Sequence, residues 1–327
     1  MTPTTPAVAE VALVGAGGEP VDLWRTFVSH GLASLPPMAL DHDGGALEVT
    51  LPLGPTRART VVIEPAGAAT VGIEPAGVAM ARVVLHGGRL RAGEVEEVHA
   101  AIRRLLALDD DLSSFYALLA GDRDLAWAAT GAGRLLRSPT VFEDVVKTLC
   151  TTNCAWGATR RMVGALVEHL GQRAPGAPAT GPRGRAFPTP EAMAGAGEEF
   201  YRDIARAGYR GRYLLELSRS VAEGSVDLEI LRDSGRHGVD DDEAAGRLQA
   251  LAGVGPYAAS HVMTLLGRYS RLVLDSWTRP KYARLVGSET VADAGIARRF
   301  ARYGRWAGLA FWLFLTADWA PIPQGEG

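Results

Sequence analysis

The chain has 327 residues, of which 47% are hydrophobic, so it is too long for one small domain and suits two or three packed units with real cores. Its formal net charge of −3 argues against a strongly basic nucleic-acid binder. The charge is uneven, however: residues 1–130 sum to −7 and residues 131–327 to +4, which alone is a weak sign of nucleic-acid binding in the later part.

The N-terminal part has the pattern of a small antiparallel sheet. We expect residues 1–9 to be a disordered tail and residues 10–93 to form a sheet domain, which opens with one helix at Leu23. Short β-type runs follow, separated by Gly, Pro and Asp turns, at residues 47–53, 59–65 and 81–87. The pentapeptide IEPAG occurs twice, ten residues apart, which indicates a local duplication with no assigned function.

From Glu94 onward the apolar residues recur at the three- and four-residue spacing of amphipathic helices. The predicted helices are residues 94–108, 142–150, 159–171, 198–208, 210–224, 242–253, 256–268 and 304–319. A Gly- and Pro-rich stretch, residues 172–185, predicts a surface loop. The predicted fold class is therefore α+β, with a small N-terminal antiparallel sheet domain followed by a mostly helical region over residues 94–327.

Two features exclude other classes of protein. The N-terminus has no basic segment before its apolar residues, and the longest apolar run near the C-terminus, residues 309–315, is far too short to span a membrane. The two cysteines, Cys150 and Cys154, cannot supply a disulfide framework or a cysteine-rich metal site. We therefore expect a cytoplasmic protein without membrane contact, in which both thiols are ordinary buried or half-buried groups.

The most informative stretch is a helical hairpin, residues 243–267. An acidic cluster, residues 240–243, opens its first helix, where the helix dipole favours negative charge. That helix ends at L-A-G-V-G, in which Gly253 and Gly255 permit positive φ and close backbone approach. Pro256 then occupies the first position of a second helix. Such a junction leaves unpaired backbone N–H groups, which predicts a phosphate site that needs no lysine.

The hairpin and the aspartate that follows a short apolar run, Asp275, resemble the helix-hairpin-helix DNA glycosylase superfamily, whose essential aspartate comes roughly twenty residues after the hairpin. The similarity extends over residues 94–319 and is nearest the branch of 8-oxoguanine and 3-methyladenine glycosylases. Five segments occur in the order that this branch has: RRLLALDDDLSSFY, LLRSPTVFEDVVKTLCTTN, FPTPEAMA, AGYRGRY and YGRWAGLAFWLFLTADW.

The resemblance implies a base-excision-repair enzyme that flips a damaged base out of double-stranded DNA and hydrolyses its N-glycosidic bond. Asp275 is the implied catalytic group, because a carboxylate beside the flipped nucleotide can stabilise positive charge on the sugar or orient and deprotonate the attacking water. From the sequence alone Asp275 is equally well an N-cap for the helix that follows it. The two roles are compatible.

Tyr257 departs from the pattern of the bifunctional family members, which place a lysine nucleophile two residues after the second glycine of the hairpin. A tyrosine cannot form an imine, and neither Lys147 nor Lys281 occupies the matching position. We therefore expect a monofunctional glycosylase without AP-lyase activity. The four-cysteine signature of the iron–sulfur members is absent, so neither an iron–sulfur cluster nor an organic cofactor is expected.

The resemblance also implies contacts with a cation and with DNA. The backbone carbonyls of Gln249, Leu251 and Val254 would hold a monovalent cation, K⁺ or Na⁺, that meets a DNA phosphate. Asn153 matches the residue that enters the duplex beside the orphaned base, and its amide can donate and accept hydrogen bonds; otherwise it ends or interrupts a helix. Candidates for phosphate contacts, each equally well a solvated surface charge, are Arg160, Arg161, Arg210 and Arg212.

The predicted base pocket departs from the 8-oxoguanine enzymes, because Phe311 and Leu315 stand where those enzymes have a Gln and a stacking Phe. An aromatic lining would suit electron-poor alkylated purines, whose positive charge is attracted to π faces, although an aromatic stripe on a helix is more often core. His30 falls near the strand that related enzymes bring to the base, or is an ordinary turn histidine. The expected pocket residues are Tyr257, Trp277, Phe311, Leu315 and His30, with Trp312 as a further candidate.

Three alternatives stay open at this point. The chain could be an 8-oxoguanine-type glycosylase, a catalytically silent DNA-binding or damage-sensing protein on the same fold, or a helical protein-interaction module with no affinity for DNA. We expect the protein to be a monomer. Asp275→Asn discriminates between an enzyme and a silent binder, and salt-dependent DNA binding separates both from the third class.

Overall fold

The computed structural model describes residues 7–54, 56–66, 79–88, 91, 93–232 and 238–320. Within these ranges five strands form one antiparallel sheet in the order β1-β5-β4-β3-β2. The strands are β1 (Ala7–Ala12), β2 (Met38–Asp41), β3 (Ala46–Leu53), β4 (Arg57–Pro65) and β5 (Met80–Leu85). The second copy of the IEPAG pentapeptide lies outside the described residues. The predicted antiparallel sheet and α+β class are confirmed.

The first strand corrects the expected tail. Residues 7–9 are paired, with Ala7 opposite Leu85 and Ala9 opposite Val83. Val11 is the one residue of β1 whose side chain is buried, because β1 is the edge strand of the sheet. A strand made of Ala and Val with a single Glu shows no clear apolar and polar alternation in the sequence.

The helices are short, and some follow a residue whose side chain accepts a hydrogen bond from the first turn. They are α1 (Leu23–Phe27), α2 (Glu94–Leu105), α3 (Ser113–Leu119), α4 (Val141–Thr151), α5 (Trp156–Leu170), α6 (Pro190–Gly195), α7 (Gly197–Glu199), α8 (Arg210–Ala222), α9 (Asp241–Gln249), α10 (Pro256–Leu265), α11 (Thr278–Leu285), α12 (Asp293–Phe300) and α13 (Ala307–Thr316). Where one helix was predicted over residues 304–319, Gly304 at φ 55° breaks the backbone and α13 begins three residues later.

Three cores hold the described residues together. The first joins the sheet to α2, whose Val98, Ile102 and Leu105 are buried with the sheet. The domain boundary predicted before Glu94 therefore falls inside one core, because the apolar face of α2 covers the sheet. No helix in the described residues is long and apolar enough to cross a membrane.

The other two cores divide the helices into two groups. A middle group, from α4 to α10, packs around Val146, Leu166 and Leu248. A C-terminal group contains α3 and the helices from α11 to α13, and it packs around Phe115, Phe300 and other apolar side chains. The link between α10 and α11 crosses from one group to the other, and it carries Asp275.

Candidate functional site

The hairpin between α9 and α10 is closed by local backbone geometry. The N–H of Val254 donates to the carbonyl of Leu251 at 3.1 Å, and Gly253 has φ +81°. A Cβ at Gly253 would lie 2.4 Å from Cδ2 of Tyr213, so glycine is required there for space as well as for conformation. Gly255, by contrast, faces open space and precedes α10 as its N-cap. This surface is open to an approaching phosphate.

Asp275 caps α11 and presents one oxygen to the cleft. Its Oδ1 accepts the backbone N–H groups of Trp277 at 2.8 Å and Thr278 at 2.6 Å, and its own N–H donates to Oγ1 of Thr278 at 2.8 Å. These three bonds fix the orientation of the carboxylate. Oδ2 accepts no hydrogen bond from the described part of the chain, so it remains free to act on a ligand.

Two side chains of α10 face Asp275 from the opposite group of helices. Tyr257 and His261 are one helical turn apart, with ring centroids separated by 6.1 Å. Burial raises the pKa of Tyr257, and the charge of Asp275 raises it further. Burial lowers the pKa of His261 to about 4, although Asp275 opposes that shift. His261 was not predicted; its spacing of four residues from Tyr257 on one helix is the signal that could have identified it.

Three tryptophans, Trp277, Trp312 and Trp319, form a tryptophan cluster on the other side of the cleft. Their ring centroids lie 5.6 to 5.9 Å apart. Trp277 is 39% exposed and Trp319 37%, whereas Trp312 is 8% exposed and donates from Nε1 to the carbonyl of Ser29 at 2.8 Å. The cluster therefore has two tryptophans with accessible π faces, packed on the buried and hydrogen-bonded Trp312.

His30 lies at the inner end of the same cleft and is not an ordinary surface histidine, since it is 6% exposed. Its Nε2 donates to the carbonyl of Leu136 at 2.5 Å. The His30 and His261 rings meet at a centroid distance of 6.5 Å and an angle of 87°, and His261 lies 6.5 Å from Trp312. The structure thus brings His30, Tyr257 and Asp275 towards one cleft with the tryptophan cluster.

Phe311 and Leu315 correct the predicted pocket. Both side chains are fully buried in the C-terminal core, and Phe311 contacts Phe300 at a centroid distance of 5.2 Å. Neither can touch a ligand in the cleft without repacking that core. The cleft is reached by the next residue, Trp312, because α13 turns its other face to the core.

The loop between α4 and α5 exposes Asn153. This residue has φ +47°, and its Nδ2 donates to the hydroxyl of Tyr209 at 3.4 Å. Tyr209 is 50% exposed, and the guanidinium of Arg210 covers its ring at 4.5 Å. Arg210 itself is buried and donates to the carbonyl of Thr152. It therefore supports the Asn153 loop, which corrects the expectation that it contacts a phosphate.

The other predicted phosphate ligands are on the surface. Arg160 and Arg161 are exposed near the start of α5. Arg212 is also exposed and donates to the hydroxyl of Tyr213, the residue that packs on Gly253 of the hairpin. These three guanidinium groups are accessible to a DNA backbone.

Three backbone carbonyls of the hairpin are candidate ligands for a monovalent cation. Gln249 ends α9, and Leu251 and Val254 lie in the turn, where the carbonyl of Leu251 also accepts the Val254 N–H. Three backbone oxygens are the kind of donor that K⁺ and Na⁺ take in place of water. The donor set fits such an ion. No group of three or more His, Cys, Asp or Glu side chains suited to a metal occurs in the described ranges.

A five-stranded sheet, two groups of helices, a Gly-Val-Gly hairpin and an aspartate in the cleft between the groups together give this chain the fold of the helix-hairpin-helix DNA glycosylases.

Three solved structures, of two proteins, are similar to this chain. The 3-methyladenine DNA glycosylase of Archaeoglobus fulgidus has a TM-score of 0.68 and 22% identity, over 96% of this chain and 100% of that chain. The 8-oxoguanine glycosylase/lyase of Clostridium acetobutylicum, in its apo-form, has a TM-score of 0.66 and 19% identity, over 96% of this chain and 99% of that chain. The structure of the same enzyme in complex with double-stranded DNA containing cytosine opposite 8-oxoguanine has a TM-score of 0.65 and 19% identity, over 97% of this chain and 98% of that chain. No family model matches the sequence, and no curated protein matches it.

Proposed function

We propose that this chain is a monofunctional base-excision-repair DNA glycosylase that hydrolyses the N-glycosidic bond of a flipped, damaged purine, with an alkylated purine as substrate. The observation that carries the proposal is the Asp275 carboxylate, which is held by its own helix cap with Oδ2 free in an aromatic cleft. The similar solved structures include DNA glycosylases, one of them in complex with double-stranded DNA.

Asp275 acts in two ways in this mechanism. As the base leaves, positive charge develops on the sugar, and a carboxylate at the cleft stabilises it. Oδ2 also accepts a hydrogen bond from the attacking water and removes its proton. Because Oδ1 is held by two backbone N–H groups, the carboxylate is oriented before the substrate arrives and needs little reorganisation.

The surroundings of the two lysines support hydrolysis without lyase activity. Lys147 is fully buried and pairs with Glu143 at 2.7 Å. Lys281 pairs with Asp318 at 2.6 Å. The lysine position of the bifunctional enzymes holds Tyr257, whose phenol cannot form an imine with the sugar. Water is therefore the nucleophile that Asp275 serves.

The tryptophan cluster supports an alkylated purine as the substrate. Alkylation at a ring nitrogen leaves the base with a positive charge, and a desolvated cation over a tryptophan face gains about 2 kcal/mol. Trp277 and Trp319 offer exposed faces beside Asp275, with Trp312 beneath them. A cationic base is also a better leaving group, so recognition and reactivity favour the same lesions.

Double-stranded DNA would be bound by groups around the mouth of the cleft. Asn153 is placed to enter the space that the flipped base leaves, and Tyr209 stands beside it. The N–H groups at the start of α10 and the exposed Arg160, Arg161 and Arg212 would contact phosphates. A K⁺ or Na⁺ ion held by the hairpin carbonyls would add one more phosphate contact.

A panel of duplexes tests the proposal. Each duplex carries one lesion, namely 8-oxoguanine, a stable 3-methyladenine analogue, hypoxanthine or uracil, and abasic sites are scored after incubation. We expect release of alkylated purine. Release of 8-oxoguanine alone would overturn the alkylation preference, and release of no base would favour a catalytically silent DNA-binding protein.

Borohydride trapping tests the absence of lyase chemistry. Reduction of a reacting mixture should give no covalent adduct between the wild-type protein and DNA, because the position of the family nucleophile holds Tyr257 and not a lysine. Tyr257→Lys is the matched positive control, since it places an amine at the position of the family nucleophile. A covalent adduct with the wild-type protein would overturn the monofunctional assignment.

A further inference from the structure

Two histidines, His30 and His261, meet at the inner end of the cleft from different parts of the fold. His30 precedes the single turn at Gly31–Ser34 next to the sheet, and His261 belongs to α10 of the middle group. Their rings are nearly perpendicular, with centroids 6.5 Å apart. The mechanism above uses neither side chain.

The hydrogen bond of His30 fixes which of its nitrogens carries the proton. The carbonyl of Leu136 can only accept, so Nε2 of His30 is the N–H donor of that bond. Burial lowers the pKa of His30 to about 3, so the ring is neutral and Nδ1 carries a lone pair. Nδ1 is buried and has no hydrogen-bond partner among the described residues. A buried acceptor without a partner is unfavourable until a ligand satisfies it.

His261 differs from His30 because it is partly exposed in the cleft. It contacts Tyr257 on its own helix and Trp312 across the cleft. Its neutral ring has one donor and one acceptor nitrogen, and either tautomer is open to it. One wall of the cleft thus combines a fixed acceptor with an adaptable donor and acceptor.

We propose that His30 and His261 read the edge of the flipped base, and that Nδ1 of His30 restricts the substrates to purine lesions that present an N–H group to it. This inference rests on the proposed function, since it assigns the substrate class of the same cleft. A ring N–H or an exocyclic amine satisfies Nδ1. A base without such a donor leaves Nδ1 unpaired, and the site rejects it for the reason that sites built for a hydrogen bond reject analogues lacking it.

The test compares two neutral bases, so that the tryptophan cluster does not decide the result. Hypoxanthine carries an N–H at ring position 1, whereas unsubstituted purine carries no N–H donor and is smaller. Both are placed in duplexes with a 2′-fluoro sugar that resists hydrolysis, and dissociation constants are measured. The smaller base pairs weakly and flips more readily, which opposes the expected result and makes the comparison stringent.

We expect the wild-type protein to bind the hypoxanthine duplex at least about tenfold more tightly, the effect of one unsatisfied buried acceptor. His30→Phe should abolish that preference, and His261→Phe should reduce it. His42→Phe is the matched control, because His42 is an exposed histidine that packs on Trp24 at 5.4 Å, away from the cleft. It should keep the wild-type ratio.

Equal binding of the two duplexes by the wild-type protein would overturn the inference without any variant, and so would a ratio that His30→Phe leaves intact while the protein still melts cooperatively. The proposed function fails separately. If the wild-type protein discriminates between the duplexes but releases no base from the lesion panel, recognition of the base by the histidines is supported and the proposed glycosylase activity is contradicted. If it releases bases but binds the two duplexes equally, the proposed glycosylase activity is supported and recognition by the histidines is contradicted.

Discussion

Asp240 and Asp275 perform the same local task in two different surroundings. Each precedes a helix, and each accepts a backbone N–H close to its own position: Oδ1 of Asp240 from Glu243 at 2.8 Å, and Oδ1 of Asp275 from Thr278 at 2.6 Å. Asp240 leads an acidic cluster at the start of α9, whereas Asp275 lies in the link between the two groups of helices. Local geometry alone does not distinguish them.

The difference lies in the residues around each aspartate. The residues after Asp240 are neutralised by arginines, since Asp241 pairs with Arg268 and Asp242 with Arg271. Asp275 faces aromatic and imidazole rings instead. An anion in weakly solvated surroundings interacts more strongly with a developing positive charge than an anion in a solvated ion-pair network. The same kind of cap therefore lies beside an ion-pair network in one place and beside aromatic rings in the other.

Asp275→Asn and Asp240→Asn give the largest expected contrast. Asparagine keeps a capping oxygen at both sites, so neither variant should lose its fold. Asp275→Asn should lower single-turnover base release by about 100-fold to 10,000-fold, because the charge and the general base are removed, while duplex affinity stays near that of the wild type. Asp240→Asn should stay within about twofold. Equal rates for the two variants would remove Asp275 from the mechanism.

Trp277→Leu sharpens the comparison by changing the surroundings and leaving Asp275 in place. We expect release of a cationic alkylated purine to fall by about 5-fold to 30-fold, which corresponds to about 1 to 2 kcal/mol of cation–π attraction. Release of a neutral lesion should change much less. Trp24→Leu, in the sheet core, is the control and should affect both lesions equally. Parallel losses with Trp277→Leu would indicate packing and contradict a cation-binding face.

The smallest expected effect concerns stability. The pKa of His261 is lowered to about 4 in the folded chain, and an unfolded histidine titrates near 6.5. Between these values the unfolded chain binds more protons, so the free energy of unfolding rises with pH across that window and is lost on acidification. His261→Phe should lower this slope by up to about 1.4 kcal/mol per pH unit, measured by urea unfolding from pH 4 to 7. An unchanged slope would show that His261 is not desolvated.

Much of this arrangement could be predicted because its determinants are local. Gly253, Pro256 and Asp275 specify a turn, a helix start and a cap, each through the few residues next to it, and the inner strands have clear β-type runs. What could not be predicted depends on contacts between distant residues. The edge strand β1 forms because β5 pairs with it, and nothing in its own sequence requires that.

The sequence also did not predict that Trp312, and not Phe311, lies at the cleft, because this too depends on contacts between distant residues. Nearly all of α13 is apolar and buried, so its sequence has no polar face from which to tell the core side from the cleft side. Arg210 is similar, since a buried arginine that holds the Thr152 carbonyl has the same sequence signature as an exposed one. In the sequence His261 has the pattern of an interior residue of an apolar helix, and only the folded structure places His30 beside it.

The division of the helices into two groups also determines how the cleft can change width. Tyr257 and His261 lie on α10 of the middle group, whereas Trp277 directly precedes α11 and Trp312 lies on α13 of the C-terminal group. The cap at Asp275 fixes the carboxylate to the start of α11, so it moves with the tryptophan wall. Opening the cleft for a nucleotide therefore separates contacts that cross it, such as His261 with Trp312, and leaves the packing within each group intact.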